Sequence, residues 1–325
     1  MTYFMRKIYV AVTLLSITSL GYANEDYDNS LTCGENENDF CCEPISCGLG
    51  FISADLLYWR AFESGLDACV PGQVSDIVTS DGKVVSRFKG RGRDPHFDWN
   101  PGFRIAAGYE LPCSDLDIAA SWTYFHSRSH GPRNHGNKIR WNLNFDAVDV
   151  VAGYESDFGA CFALRPFGGL RGAWIDQKLR IHGTSNSASS SVTNDLLEAK
   201  TKNKENFWGV GPLIGLGADW NIGCGFSLYT SASIAWLYGN IDVRLREADE
   251  TVDTVNLCRV KKRLDANLAV ADAALGIRWQ TCFCRNTRLI LQLGLEHHRY
   301  FDYNRIGGYG DLCFDGFNFS AGLEF

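Results

Sequence analysis

Apolar and polar residues alternate at every second position over most of this chain. In PGFRIAAGYE, Phe103, Ile105, Ala107 and Tyr109 share one face while Arg104 and Glu110 take the other. DLDIAASWTYF sets Leu116, Ile118, Ala120, Trp122 and Tyr124 against Asp117, Ser121 and Thr123. AVDVVAGYE, FALRPFGGLRGAW, FWGVGPLIGLGADW, FSLYTSASIAWLY, AALGIRW and RLILQLGLEHH repeat the pattern, and FNFSAGLEF closes it at the last residue. A period of two is the signature of strands with one apolar face. With ADLLYWRA as the first, the pattern predicts about ten strands. They lie at roughly 52–61, 101–111, 115–127, 139–156, 160–181, 206–222, 225–246, 262–281, 286–301 and 314–325. The apolar phase shifts between Phe145 and Val148 and again near Asp272, which predicts a bulge at each place.

The connections alternate in length. LPCSDL, SDFGAC, NIGCG and TCFCRNT are short, whereas roughly 62–100, 127–138, 182–205, 247–261 and 302–313 are long and polar. TSNSASSSVTND is of low complexity and is expected to be a mobile loop. Short turns at one end and long loops at the other describe an all-β, antiparallel transmembrane barrel, with short periplasmic turns and long external loops. Twelve strands stay open, because DIVTS and KVVSRFK within 62–100 suit a hairpin. Trp208 and Trp220 share a face twelve positions apart in the sequence. At ~3.3 Å per residue and a tilt of ~40° they are ~30 Å apart along the membrane normal, the spacing of two aromatic girdles. A soluble β-sandwich is the competing architecture, but its core has no use for strands of that length with a polar inner face. Phe317, Phe319, Leu323 and Phe325 then make sense: the final strand closes the barrel against the first, leaving no edge, and its aromatic end resembles the C-terminal signal read by the outer-membrane insertion machinery.

The N-terminus fits this destination. Arg6 and Lys7 precede an apolar stretch from Ile8 to Leu20, and Gly21-Tyr22-Ala23 offers small residues for a signal peptidase. Cleavage is expected after Ala23, giving a signal peptide at 1–23, a cysteine-rich periplasmic segment at 24–50 and the barrel at 51–325. A retained membrane anchor is the weaker alternative, since the apolar stretch is short for a span. The 325 residues carry a net charge of -7, which speaks against nucleic acid as a partner.

ADLLYWRAFESGLDA, PGFRIAAGYE, DLDIAASWTYFH, RPFGGLRGAWID and the terminal GLEF together resemble the major-outer-membrane-protein-like, pore-forming family of Legionella and environmental Chlamydiae. The resemblance covers roughly residues 50–325. It implies a bacterial outer-membrane barrel with pore-forming activity, no enzymatic function and no cofactor. The family offers no catalytic signature to transfer.

By phase, Arg104, Arg165, Arg171 and Arg278 face the lumen with Asp149, Glu155, Asp219, Glu296 and Glu324. Such charges set selectivity in a pore, or pair across a narrow barrel and fill it. The glycines of GVGPLIGLG occupy one strand face, so they read as small lumen residues rather than a phosphate loop. His126, His130, His135, His297 and His298 lack metal-ligand spacing or a nucleophile partner, so no metal site and no catalytic residue is assigned. Twelve cysteines are unusual for an exported barrel. Cys33, Cys41, Cys42 and Cys47 fall in the N-terminal segment, and Cys113, Cys161, Cys224, Cys282 and Cys284 at the periplasmic turns. Cys69, Cys258 and Cys313 fall on or near external loops. An oxidising compartment favours disulfides, and turns set far apart cannot bridge one another. The expected cross-links therefore run to the tail, to further copies of the protein and to other cysteine-rich envelope proteins; zinc binding by the tail is the rival. Outer-membrane lipid and the insertion machinery complete the expected partners. The functional reading is passive diffusion of small hydrophilic solutes or ions, with a disulfide-linked structural barrel or surface adhesin as the alternative.

Overall fold

Ten long strands close on themselves. The computed structural model describes residues 50–66, 73–78, 84–89, 97–112, 114–130, 138–159, 161–186, 196–250, 255–284, 287–305 and 310–325. The wall consists of β1 (Gly50–Glu63), β4 (Trp99–Glu110), β5 (Leu116–His130), β6 (Lys138–Tyr154), β8 (Phe162–Asn186), β9 (Leu196–Gly223), β10 (Phe226–Glu250), β11 (Val255–Cys284), β12 (Thr287–Asn304) and β13 (Gly310–Glu324). Consecutive wall strands pair antiparallel, β6 pairs with β8, and β1 pairs with both β4 and β13. The two-residue β7 (Ser156–Asp157) sits in the turn between β6 and β8. The hairpin foreseen between strands one and two exists as β2 (Gln73–Val78) and β3 (Val84–Lys89), but it forms a separate sheet. The barrel therefore has ten strands.

Closure reaches the last residue. The β1–β13 register runs from Phe51↔Glu324 to Glu63↔Leu312. The amides of Gly50 and Phe325 donate to each other's carbonyls at 2.8 and 2.9 Å. The aromatic terminus is thus bonded to the first strand rather than frayed.

The outer wall is apolar between two aromatic levels. Trp208 and Trp220 are both exposed on it, at 47% and 59%. At the long-hairpin end Tyr58 stacks on Trp99 at 5.4 Å, and Trp174 and Tyr238 lie on the same outer face. Phe103, Ile105, Ile214, Ile234, Leu275 and Leu293 are exposed between the levels, where lipid covers them.

Beyond the girdle of Trp99, Trp174 and Trp208 the polarity inverts. On β6, Trp141, Leu143, Phe145 and Ala147 are buried inside while Arg140, Asn142 and Asn144 are exposed outside; farther down, Asp149 faces in and Val150 out. The same happens on β11, where Ala266, Leu268 and Val270 point inward above Asp272 and Arg278. The two bulges expected near Phe145–Val148 and Asp272 are absent: pairing continues without a register shift through both. The apolar residues change sides relative to the wall because the solvent outside changes from lipid to water; the backbone phase does not change. Register shifts occur instead at Phe226/Ser227, Cys282/Cys284 and Tyr300/Asn304.

The same inversion corrects the loop boundaries. Segments 182–205 and 247–261, expected as loops, are largely strand, since β8 runs to Asn186, β9 begins at Leu196, β10 reaches Glu250 and β11 starts at Val255. Most of the low-complexity stretch, the signal peptide and Cys33 to Cys47 lie outside the described residues. At the short-turn end, Gly223, Cys224 and Gly225 all adopt positive φ, of 110°, 54° and 77°, which tightens the β9–β10 turn.

Candidate functional site

The lumen is built in three layers. Nearest the short turns, arginines pair with carboxylates along the inner wall, in two of three cases across an intervening strand. Arg165 donates to both oxygens of Asp117, with Nε to Oδ2 at 2.7 Å. Arg278 pairs with Asp219 at 2.7 Å and Arg288 with Glu324 at 3.1 Å. Glycines on the inner face let these side chains lie along the wall. A Cβ on Gly153 would meet the Arg165 guanidinium, and one on Gly215 the Phe167 ring. The GVGPLIGLG glycines are therefore lumen spacers, as their phase implied.

The middle layer crosses the barrel. Arg104 on β4 reaches Glu296 on β12 through two bonds of 2.9 and 3.0 Å and also Asp55 on β1 at 3.3 Å. Arg171 on β8 holds Asp149 on β6 at 2.7 and 2.8 Å and Asp272 on β11. His298 joins the two groups, with Nδ1 2.8 Å from Asp272 and Nε2 3.2 Å from Glu296. A continuous polar chain, Asp149–Arg171–Asp272–His298–Glu296–Arg104–Asp55, thereby spans the lumen. A cavity of ≈ 360 Å³ is lined by Arg104, Arg165, Arg171, Ser121, Thr123 and Ser233 among others.

The third layer is apolar and packed. Trp59, Phe125, Tyr300 and Phe314 are each 0–1% exposed. Phe314 meets Trp59, Phe125, Phe145 and Tyr300 at centroid distances of 5.8, 5.7, 4.8 and 6.0 Å. Trp59 rests on His298 at 4.7 Å, so the packed layer sits on the polar chain. Above it, beyond the girdle, Gln177 donates to Glu63 at 3.0 Å and Glu205 at 3.3 Å, and Trp141 donates to Glu63 and Gln177 at 3.2 Å. Burial pushes Glu63 up to about 8 and Glu205 up to about 7.

Seven of the eight candidate pore-lining residues, Arg104, Asp149, Arg165, Arg171, Asp219, Arg278 and Glu296, face the lumen, and every one is engaged in an ion pair. Glu155 stands just past the end of β6, which stops at Tyr154, in the short connection to β7, and is exposed there within the field of Asp219, Arg278 and Arg165. Asp55, Asp117, Asp272 and His298 also belong to the lumen network, although sequence phase had not assigned them to its charges. Asp55 and Asp117 were legible as polar positions in phase, and Glu296–His298 as an inward i, i+2 pair. The assumed bulge concealed Asp272. The two histidines of EHH face opposite ways, His297 pairing outside with Asp315 and His298 inside. His126 contacts Asn144 and Arg128 on the outer wall. Among the described residues no group of three or more His, Cys, Asp or Glu is placed to hold a metal.

Four cysteines have a defined state. Cys161 and Cys282 are each disulfide-bonded, whereas Cys224 is free and exposed and Cys313 is free and buried. Cys313 lies within β13 rather than in a loop. The side chains of Cys113 and Cys284 lie outside the described residues.

A family model described as Legionella pneumophila major outer membrane protein precursor matches residues 50–316. No curated protein matches the chain. Among solved structures, the outer membrane protease OmpT of Escherichia coli shares 13% identity, with 86% of this chain and 96% of that chain covered and a TM-score of 0.43. The Ralstonia pickettii toluene transporter TbuX shares 8% identity over 86% and 89%, with a TM-score of 0.33. A major outer membrane protein from Thermus thermophilus shares 10% over 85% and 99%, with a TM-score of 0.30.

Proposed function

The chain belongs to the family of the Legionella pneumophila major outer membrane protein precursor, and on that premise we propose a porin-like outer-membrane barrel that passes small hydrophilic solutes or ions through a gated lumen. Its short turns face the periplasm and its long hairpins the exterior. The observation that carries this reading is the two-sign polar cavity under a packed apolar layer. A polar vestibule gives a hydrated solute a place to stand, and a hydrophobic constriction blocks passage by excluding water until side chains move. Transport is passive, with no cofactor and no catalytic step. The paired arginines leave the wall nearly balanced in sign, which predicts weak ion selectivity. The exposed Cys224 at the periplasmic rim, with the N-terminal cysteines, supports cross-linking to further copies and to other cysteine-rich envelope proteins.

The full burial of Trp59, Phe125, Tyr300 and Phe314 favours a second reading, a closed barrel whose task is to anchor the envelope. Planar-bilayer recording on the refolded full chain separates them. Discrete conductance steps support the gated pore; correctly folded protein that gives none at any voltage or pH leaves the structural barrel.

A further inference from the structure

The outer wall carries a second pattern that the lumen does not use. Beyond the exterior girdle, basic residues from successive strands stand directly opposite one another. One cross-strand row reads His130, Arg140, Arg180, Lys202, Arg246 and Arg259, from β5 to β11. The row beneath it reads Arg128, Asn142, Lys178, Lys204, Arg244 and Lys261 on the same strands. The next row toward the girdle is mixed, through Asp176 and Asp242, and the girdle row itself sets Asp146 and Asp265 in line with Trp174 and Trp208. Like charges paired across a sheet destabilise it, and a chain of net charge -7 has no shortage of carboxylates with which to break the pattern.

Among the described residues none of these cations is paired with a carboxylate. Arg180 Nε is buried with no hydrogen-bond partner. Loss of hydration, followed by the fields of Arg180, Lys202 and Lys204, depresses the Lys178 ammonium below its ordinary value. The other side of the barrel is different. There His297 pairs with Asp315, Arg299 with Asp311, and Arg60 lies over the Trp99 ring at 5.6 Å. The basic field is an arc over roughly half the perimeter.

Its height identifies the occupant. Lys204 stands four positions beyond Trp208 on β9, ~13 Å along the strand and ~10 Å along the normal. Long Lys and Arg stems reach back toward the girdle from there, into the headgroup layer that begins where the hydrocarbon ends. We propose that this arc is a docking surface for a phosphorylated lipid of the outer leaflet, its acyl chains on the apolar band below and its phosphates between the two basic rows. Phosphate oxygens accept from guanidinium forks and ammonium groups alike, and a headgroup with more than one phosphate bridges several strands at once. The lipid relieves the like-charge opposition, so its binding also holds the long external hairpins together.

The test uses the refolded full chain in non-ionic detergent, titrated with diphosphorylated lipid A, dephosphorylated lipid A, and inorganic phosphate. Retained lipid is read by native mass spectrometry, and stability by the temperature at which the heat-modifiable gel band is lost. Diphosphorylated lipid is expected to be retained and to raise that temperature, while the other two leave it unchanged. Arg140→Gln, Arg180→Gln, Lys202→Gln and Arg246→Gln together should keep the folded band and weaken retention about fivefold per cation removed. Arg60→Gln, on the opposite side, should weaken nothing. Equal retention of the dephosphorylated lipid, an equal shift from inorganic phosphate, or undiminished binding by the folded quadruple variant would each overturn the assignment.

Discussion

Glu63→Gln tests the buried layer beyond the girdle. Glu63 is 2% and Glu205 0% exposed, and both accept from the single Gln177 amide. Burial is the first cause of the raised Glu63 value, and the neighbouring Glu205 carboxylate adds to it. An unfolded glutamate titrates near 4.3, so between that value and about 8 the folded barrel binds a proton that the unfolded chain has released. Stability then falls as pH rises. The contribution is complete below about 4.3 and lost once pH passes about 8, the folded value of Glu63. One pKa unit is worth about 1.4 kcal/mol, so a shift of this size amounts to a loss on the order of 4–5 kcal/mol. The Gln side chain cannot ionise yet offers an oxygen of the same reach to Trp141. Its melting temperature should match that of the natural chain at pH 5 to within the effect of one hydrogen bond, about 1 kcal/mol, and exceed it at pH 9. Thermal unfolding by circular dichroism in detergent, from pH 5 to 9, reads both curves. Parallel curves would refute the reasoning, because they would mean that Glu63 is hydrated and not part of a dry layer.

Neutralising Arg165 and Arg171 to Gln should shift reversal potentials toward cation preference, since Asp117, Asp149 and Asp272 then lose their arginine partners; an unchanged potential would mean that ions do not pass these residues. Deleting Leu323 to Phe325 removes the Gly50–Phe325 bonds, the Ile52↔Leu323 pair and the Arg288–Glu324 bridge, and should leave the chain protease-sensitive, with no heat-modifiable band. Non-reducing gels should show multimers that collapse with reductant, and Cys224→Ser should diminish them more than Cys313→Ser, because the first thiol is exposed and the second buried; monomers alone would remove the cross-linking role.

Within the apolar band the fold was legible because each strand has lipid on one side and a polar lumen on the other. Trp208 and Trp220 marked both limits of that band, and all ten wall strands were readable from the alternation. Outside it the rule fails for a physical reason. Where water replaces lipid, the outer face becomes polar and the lumen packs itself dry, so Phe145 and Val148 look out of phase while lying on one regular strand. Lys202 and Lys204 look like loop residues for the same reason. Sequence phase could place Arg104 and Arg171 inside, but it could not show that they reach Glu296 and Asp272 across other strands, because such contacts depend on how the barrel closes.

The central claim is that packed aromatic side chains close the lumen above a polar vestibule. Single-channel recording of Phe314→Ala beside the natural chain tests it most directly. Truncating this fully buried ring costs about 3–5 kcal/mol of stability, so the folded band is checked before recording. The account predicts a higher open probability or conductance for the variant, with brief, small openings in the natural chain. Identical traces from two folded proteins would contradict it.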